Sequence, residues 1–243
     1  MNMKWISLFI VLLLLSCEVT TGFRSDKTYV IITFDDGHNS IYYTALPIME
    51  EFGFRATNVI NTGIIGNEIS LTWLQVEELE FEHGWETAGH TLHHITLPTV
   101  PIEIVEYEIH QDWLNLIDHG LSHSTFALPS GKASQEHYDI ILQYYQNVRT
   151  SLNITTYAPI DRTDLGYYPY LSCYSAETAE ARILQAVENN ECLLIIGFHR
   201  IMEETAGHPS NCKPDDFHKI MKFISDNHLE VITINEACEL LSG

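Results

Sequence analysis

His90 and His94 stand four residues apart in the stretch Gly89-His90-Thr91-Leu92-His93-His94. If that stretch turns helically, the two imidazoles share a face and can grip one ion, with a third ligand brought from elsewhere in the chain. Asp35 or Asp36, adjacent carboxylates ahead of Gly37, can supply it. Two histidines, one carboxylate and an open position suit zinc, or another first-row divalent ion such as cobalt or nickel, which acidifies water for attack on a carbonyl. His199 directly follows the nearly all-apolar segment 192–198. Taken singly, each group has an ordinary explanation: a polar turn in a chain with 13 histidines, Asp-Gly as turn formers, a histidine at the core's edge. What joins them is that each follows an apolar segment.

Those segments are the elements that must position the chemistry. Residues 29–37 read YVIITFDDG, a continuous apolar and β-branched run that stops at the carboxylates. Continuous rather than alternating hydrophobicity indicates a strand buried on both faces, hence a parallel sheet covered by helices. Helical spacing or capping predicts helices over residues 40–52, 71–83 with Thr72 as cap and Leu74, Leu79 and Phe81 on its apolar face, and 101–119, opened by Pro101 with Ile102, Val105, Ile109, Trp113 and Leu116 inward. Further helices are expected over 135–146, 178–190, 215–227 and 235–241. Strands are expected over 55–60, 85–88, 124–128, 147–149, 154–158, 192–198 and 229–234. The tyrosine- and proline-rich stretch 161–172 reads as a surface loop. A βα series of this kind closes into a barrel or forms an open doubly wound sheet, and the convergence of Asp35, Asp36, His90 and His199 on strand ends favours the barrel, whose rim collects all such ends.

The 243 residues, 45% hydrophobic, suffice for one full-sized domain, and no linker divides them. A formal net charge of -21 repels nucleic acid and anionic membrane surfaces, and favours a neutral or cationic partner. Lys4 ahead of the apolar stretch 5–15 has the proportions of a secretory leader over residues 1–16, too short to span a bilayer comfortably. Its end, Leu14-Leu15-Ser16-Cys17, resembles a bacterial lipobox, so export is expected, with a lipid on Cys17 as the membrane anchor, a tether over 17–27 and the folded domain over 28–243; release in secreted form is the other outcome. Cys173, Cys192, Cys212 and Cys238 lie too far apart for a close thiolate ligand pair, and are free to pair as disulfides or remain thiols. The sequence carries no signal for oligomeric state.

Three stretches, TFDDG at 33–37, His90 to His94 as quoted, and Gly197-Phe198-His199, resemble the first, second and fifth motifs of the polysaccharide deacetylases with the NodB homology domain, carbohydrate esterase family 4. Flanking phrases at 52–60, 71–79 and 231–237 are similar as well, so the resemblance spans 28–241. It implies an irregular (β/α)7 barrel, TIM-barrel-like and α/β in class, and metal-dependent removal of acetyl groups from an N-acetylated saccharide. Carried over by position, it implies Asp36, His90 and His94 as metal ligands, Asp35 as general base and His199 as general acid. A backbone N–H near Pro129 and Ser130 would add an oxyanion donor.

The third motif departs from the family pattern of arginine, proline and aromatic: residues 126–131 read Phe-Ala-Leu-Pro-Ser-Gly, with Ala127 in the arginine's place and Ser130 in the aromatic's. A subset including the poly-β-1,6-N-acetylglucosamine deacetylases also lacks the arginine, and the chain resembles it more closely. The fourth, acidic motif has no clean match; Asp161 and Asp164 are candidates for orienting His199 or binding substrate, with Arg162 as a replacement for the absent arginine, and Tyr167, Tyr168 and Tyr170 could stack on sugar rings. Two other functions stand beside polysaccharide deacetylation: deacylation of a small amide or ester on the same barrel, and carbohydrate binding without catalysis, which the altered third motif permits but which needs neither Asp35 nor His199.

Overall fold

The computed structural model describes residues 27–152, 155–204 and 209–243, so the expected leader and Cys17 lie outside the described residues. Strands and helices alternate as β1 (Tyr29–Asp35), α1 (Leu46–Glu51), β2 (Thr57–Ile60), α2 (Trp73–Phe81), β3 (Glu86–Gly89), α3 (Ile102–Asp118), β4 (Thr125–Ala127), α4 (Gln135–Ile141), β5 (Asn147–Arg149), β6 (Tyr168–Pro169), α5 (Ala176–Glu188), β7 (Leu193–Phe198), β8 (Arg200–Ile201), β9 (Asn211–Cys212), α6 (Pro214–Asp226), β10 (Glu230–Val231) and α7 (Ile234–Leu241). The main sheet runs β5-β4-β3-β2-β1-β7-β6, with β10 also on β1, and its pairings are parallel.

One contact shows how far this sheet curls. In a flat sheet β5 and β1, four strands apart, would stand about 19 Å from each other. Yet Arg149 at the end of β5 bonds Asp35 at the end of β1 at 2.7 Å. The edges also approach: Thr150 N donates to Leu165 O at 2.9 Å and Leu165 N to Val148 O at 3.0 Å, just before the chain enters β6. The result is an α/β fold whose curled parallel sheet, ringed by helices, makes an irregular barrel.

Side-chain alternation along β1 sorts its residues between two environments. Val30, Ile32 and Phe34 pack outward under the helices, where Phe34 meets Trp85, Phe198 and Phe217. Burying a side chain such as Phe34 contributes about 1.5–3 kcal/mol. Ile31 joins the other cluster, with Tyr167, Ile195 and Ile232, so Thr33 and Asp35, two and four residues on, share its inward face. At the opposite end of the barrel the buried Glu86 accepts hydrogen bonds from Thr57 Oγ1, Thr125 Oγ1 and the Asn235 backbone, tying β2, β3 and β4 to the start of α7.

Most expected elements are present with shorter bounds, and four differences have physical causes. Helix α2 keeps its Thr72 cap, in a reciprocal box with Gln75, but Leu74 and Phe81 are exposed and its buried residues are Val76 and Leu79. The stretch 161–172 is no surface loop: it carries β6, and Leu165, Tyr167 and Tyr170 are buried because the barrel needs this segment to meet β5 and β7. In place of a strand over 154–158 there is one antiparallel bridge, Thr156 to Leu193, with Ile154 outside the described residues. The small β8–β9 ribbon follows His199 unannounced by sequence pattern. The four cysteines 173, 192, 212 and 238 are free thiols; burial pushes Cys192 up to about 11 and Cys212 and Cys238 up to about 12.

Candidate metal centre

β1 and β7 are neighbours in register up to the pair Phe34 and Phe198. Asp35, Asp36 and His199 therefore leave adjacent strand ends at the same rim. Asp36 and Gly37 both turn through positive φ, 70° and 60°, a left-handed pair that aspartate and glycine tolerate better than other residues. This turn places Asp36 Oδ1 3.5 Å from His94 Nε2 and 3.7 Å from His90 Nε2, with Asp36 Oδ2 4.0 Å from His199 Nε2. The three ligand atoms of Asp36, His90 and His94 all lie within 4.8 Å of one another.

The histidine stretch is not the helical turn its spacing suggests. Thr91 and His94 have positive φ, 63° and 57°, and the chain is irregular from the end of β3. Two acids on α3 hold it instead. Asp112, fully buried, accepts from His90 N at 3.0 Å, Thr62 Oγ1 at 2.8 Å, Thr62 N at 3.2 Å and Tyr145 OH at 3.0 Å. Glu108, one turn earlier, accepts from His93 N and His93 Nδ1, both at 2.8 Å. Asn61 donates to the carbonyls of His90 and Thr91 at 2.6 and 3.3 Å. Burial pushes Asp112 up to about 7 even though its donors favour the ionised form. His93 is thus held by Glu108 and is not part of the Asp36, His90 and His94 group.

The donor set fits a metal ion. His90 Nδ1 is engaged at 2.7 Å by the Ala127 carbonyl, an acceptor, which fixes the proton on Nδ1 and leaves the lone pair on Nε2 toward Asp36. Burial holds the His90 imidazole well below its usual range against the pull of Asp35 and Asp36, so the ring is neutral. Asp36 Oδ1 is buried and has no hydrogen-bond partner. One carboxylate oxygen and two imidazole nitrogens, all within 4.8 Å of one another, are the ligand types that first-row divalent ions take.

Asp35 beside them has a different environment. Its Oδ2 accepts from Arg149 Nη2 at 2.7 Å, while Oδ1 is buried without a partner. Arg149 lies over the Tyr167 ring at 4.1 Å. Burial by itself would raise the Asp35 pKa, but the charge of Arg149, foremost among its neighbours, outweighs it and the net shift is downward. Arg149 is the functional residue that sequence reasoning missed. It is the register partner of Ala127 on the next strand, so a guanidinium does reach Asp35, from one strand further along the sheet than the family pattern places it.

A cavity of about 380 Å³ opens over Asp35, Asp36, His90, His94 and His199, walled by Tyr167 and Ser130, within the size range of small-molecule sites. Ser130, at φ 56°, bonds Thr96 Oγ1 at 3.3 Å, and Pro129 is buried beneath it. The other three expected residues are not brought to this cavity: Asp161 accepts from Thr163 N and Oγ1, Arg162 donates to the Cys238 carbonyl of α7, and Asp164 is an exposed acid near Asp161. Arg162 therefore does not stand in for the absent arginine. Tyr168 and Tyr170 pack against Tyr174 rather than facing the cavity.

The profile of the family described as polysaccharide deacetylase matches residues 24–148, more than half of the chain. The chain belongs to that family. A curated relative, "Putative polysaccharide deacetylase YxkH" of Bacillus subtilis (strain 168), is 27% identical over 155 residues, 63% of this chain and 53% of the relative. The chain thus spans about half the length of the curated relative it matches. Among solved structures, the Streptococcus pyogenes deacetylase PplD, in complex with acetate, superposes with a TM-score of 0.57 at 24% identity, covering 65% of this chain and 69% of that one. The Xyl-CE4 domain of a multidomain xylanase from the hindgut metagenome of Trinervitermes trinervoides gives a TM-score of 0.62 at 15% identity, with 88% and 91% covered. These structural likenesses bear on the fold.

Proposed function

We propose that this protein is a hydrolase that removes N-acetyl groups from a saccharide outside the cytoplasm, using one divalent ion held by Asp36, His90 and His94, zinc foremost. The observation that carries the reading is the convergence of those three ligand atoms beside a carboxylate on an arginine and a second histidine across the cavity. A bound divalent ion supplies Lewis acidity, acidifying water and polarising a carbonyl.

The chain's own residues do the rest. Asp35 acts as general base: Arg149 holds Oδ2 and keeps the carboxyl ionised, so the unpartnered Oδ1 is the atom that accepts a water proton. His199, arriving from β7 on the other side of Asp36, gives its proton to the leaving amine, which is otherwise a poor leaving group. The backbone N–H of Ser130, Pro129 having none, meets the charge that develops on the carbonyl oxygen. Arg149 gives Asp35 a guanidinium although Ala127 stands in the third-motif arginine's place, which supports placement in the subset that lacks it. The leader-like residues 1–17 support export, with a lipid on Cys17.

Acetate release from N-acetylglucosamine oligomers, poly-β-1,6-N-acetylglucosamine and peptidoglycan, with metal stripped and then restored, tests the reading. Release that disappears on stripping and returns with zinc is expected. No release from any of them by folded, zinc-loaded protein overturns it, and release that survives Asp35→Asn removes the assigned base.

A further inference from the structure

A second cavity, of about 220 Å³, adjoins the first and shares Asp36 and His94 with it. Its remaining walls include Arg200, His38, Asn61 and Ser70, with Ile64 and Ile69 as an apolar side. Among the described residues, the other four arginines are committed: Arg55 to Glu236, Arg149 to Asp35, Arg162 to the Cys238 carbonyl and Arg182 to Glu191. Arg200 is the exception. Its backbone is fixed at the start of β8 by pairing to Asn211 and by the Ile201 N to Ser40 Oγ bond of 3.1 Å, so a half-buried arginine stands in the cavity wall, with Asp36 in the same wall but no ion pair to a carboxylate among the described residues.

A guanidinium without a partner is conspicuous in a chain with 33 acids and 12 bases, where carboxylates are abundant enough to satisfy any cation that is free to meet one. Asn61 offers an independent sign of a ligand. Asn61 is a fully buried residue of this cavity's lining, its amide nitrogen is spent on the histidine loop, and its buried Oδ1 has no partner. A buried acceptor of this kind is costly unless a donor arrives. Together the walls offer a planar cation for an anion, an acceptor for a hydroxyl or amide N–H, and an apolar side for a ring face.

We infer that this cavity is a subsite for a carboxylate-bearing sugar next to the residue being deacetylated, with Arg200 pairing the carboxylate. The inference rests on the deacetylase reading of the metal centre and narrows its substrate class to acidic N-acetylated saccharides. The net charge of the chain does not oppose it at this range: exposed charges are screened over about 8 Å at physiological ionic strength, and Asp36, the acid in the cavity wall, is neutralised by the ion it would hold. A single negative charge suits the site better than a phosphate dianion in so acidic a chain. The cavity falls below the usual 300 Å³ of a ligand pocket, which fits one substituent entering from the larger cavity rather than a separate ligand.

The test compares kcat/KM for acetate release by zinc-loaded protein from three tetrasaccharides: neutral N-acetylglucosamine, one carrying lactyl ethers on its rings, and one alternating N-acetylhexosamine with hexuronate. The expected result is a preference of about tenfold or more for one acidic tetramer, which also says whether the carboxylate sits on an ether arm or on the ring. In Arg200→Gln the ratio of acidic to neutral falls to about one, and Arg200→Lys keeps part of it. Calorimetric titration of the same tetramers makes the comparison without turnover, so failure of the deacetylase reading and failure of this one are read separately. Equal rates and equal affinities for acidic and neutral tetramers overturn the subsite, as does a preference that Arg200→Gln leaves intact. A change confined to inhibition by free acetate overturns it too, by making Arg200 a product site.

Discussion

Replacing Arg149 by methionine keeps most of the side-chain volume and removes the charge, leaving Asp35 buried without its guanidinium partner. The pair is 2% and 6% exposed and 2.7 Å apart, so the surviving carboxylate pays a desolvation cost that water does not relieve. Breaking a buried pair from one side costs about 3–5 kcal/mol, worth roughly 6–20 °C in Tm for a domain of this size. The loss depends on pH in a definite direction. In the parent protein the Asp35 pKa is lowered, so its contribution is present above the ordinary carboxylate range near 3.8 and fades as the pH falls through the depressed value. In Arg149→Met burial acts without its main opponent, the pKa rises, and the variant instead loses stability as the pH rises. The gap between the two proteins therefore widens from acid to neutral pH. Activity follows the same shift: a general base contributes about 10²–10⁴-fold, and the protonated fraction of Asp35 forfeits it, so acetate release falls below the parent's and recovers in part at higher pH. Thermal melts from pH 4 to 8 and a pH profile of kcat/KM read both effects. A stability gap that does not change with pH, together with kcat/KM within about threefold of the parent, refutes the reasoning.

Glu108→Gln cannot accept from both His93 N and His93 Nδ1 as the carboxylate does; the histidine loop loosens and zinc affinity falls about 10–100-fold, read by competition with a chromophoric chelator, whereas unchanged affinity removes Glu108 from loop positioning. Gly197→Ala puts a methyl group into the Tyr167 ring that lies under Arg149; the expected cost of about 1–3 kcal/mol appears in denaturant melts, and an unperturbed midpoint contradicts the packing. Burial raises the Glu86 pKa despite its hydrogen bonds, so its contribution is complete below the ordinary glutamate range near 4.5 and declines as the pH rises through the raised value. The advantage of the parent over Glu86→Gln in melts accordingly shrinks from pH 4 to 7, and a constant difference counts against it.

The strand ends were legible because a buried parallel strand has an unmistakable continuous apolar run, and because polar residues that stop such a run belong at the rim. Asp35, Asp36, His90 and His199 all obey that rule. His94 was found through its spacing to His90 for the wrong reason, since the two rings meet through left-handed residues at 91 and 94 rather than through a helical turn. Arg149 was not legible: it ends a three-residue strand, and its partner Asp35, 114 residues away, comes within reach only when the sheet has curled. Glu108 and Asp112 could have been found. They share a helical face with Val105, Ile109 and Leu116, and acids at core positions of an amphipathic helix signal buried hydrogen-bonding work. Tyrosine and proline made 161–172 look like a loop, because local composition carries no information about the distant strands, β5 and β7, that recruit the segment.

Titration of metal-free protein with zinc is the most direct measurement of the central claim, that one ion sits between Asp36, His90 and His94. One equivalent binds tightly to the parent protein, and the affinity collapses by at least about 100-fold in His94→Ala while the melting midpoint of the metal-free protein barely moves. Binding of the same stoichiometry and strength in His94→Ala and Asp36→Ala would contradict the account.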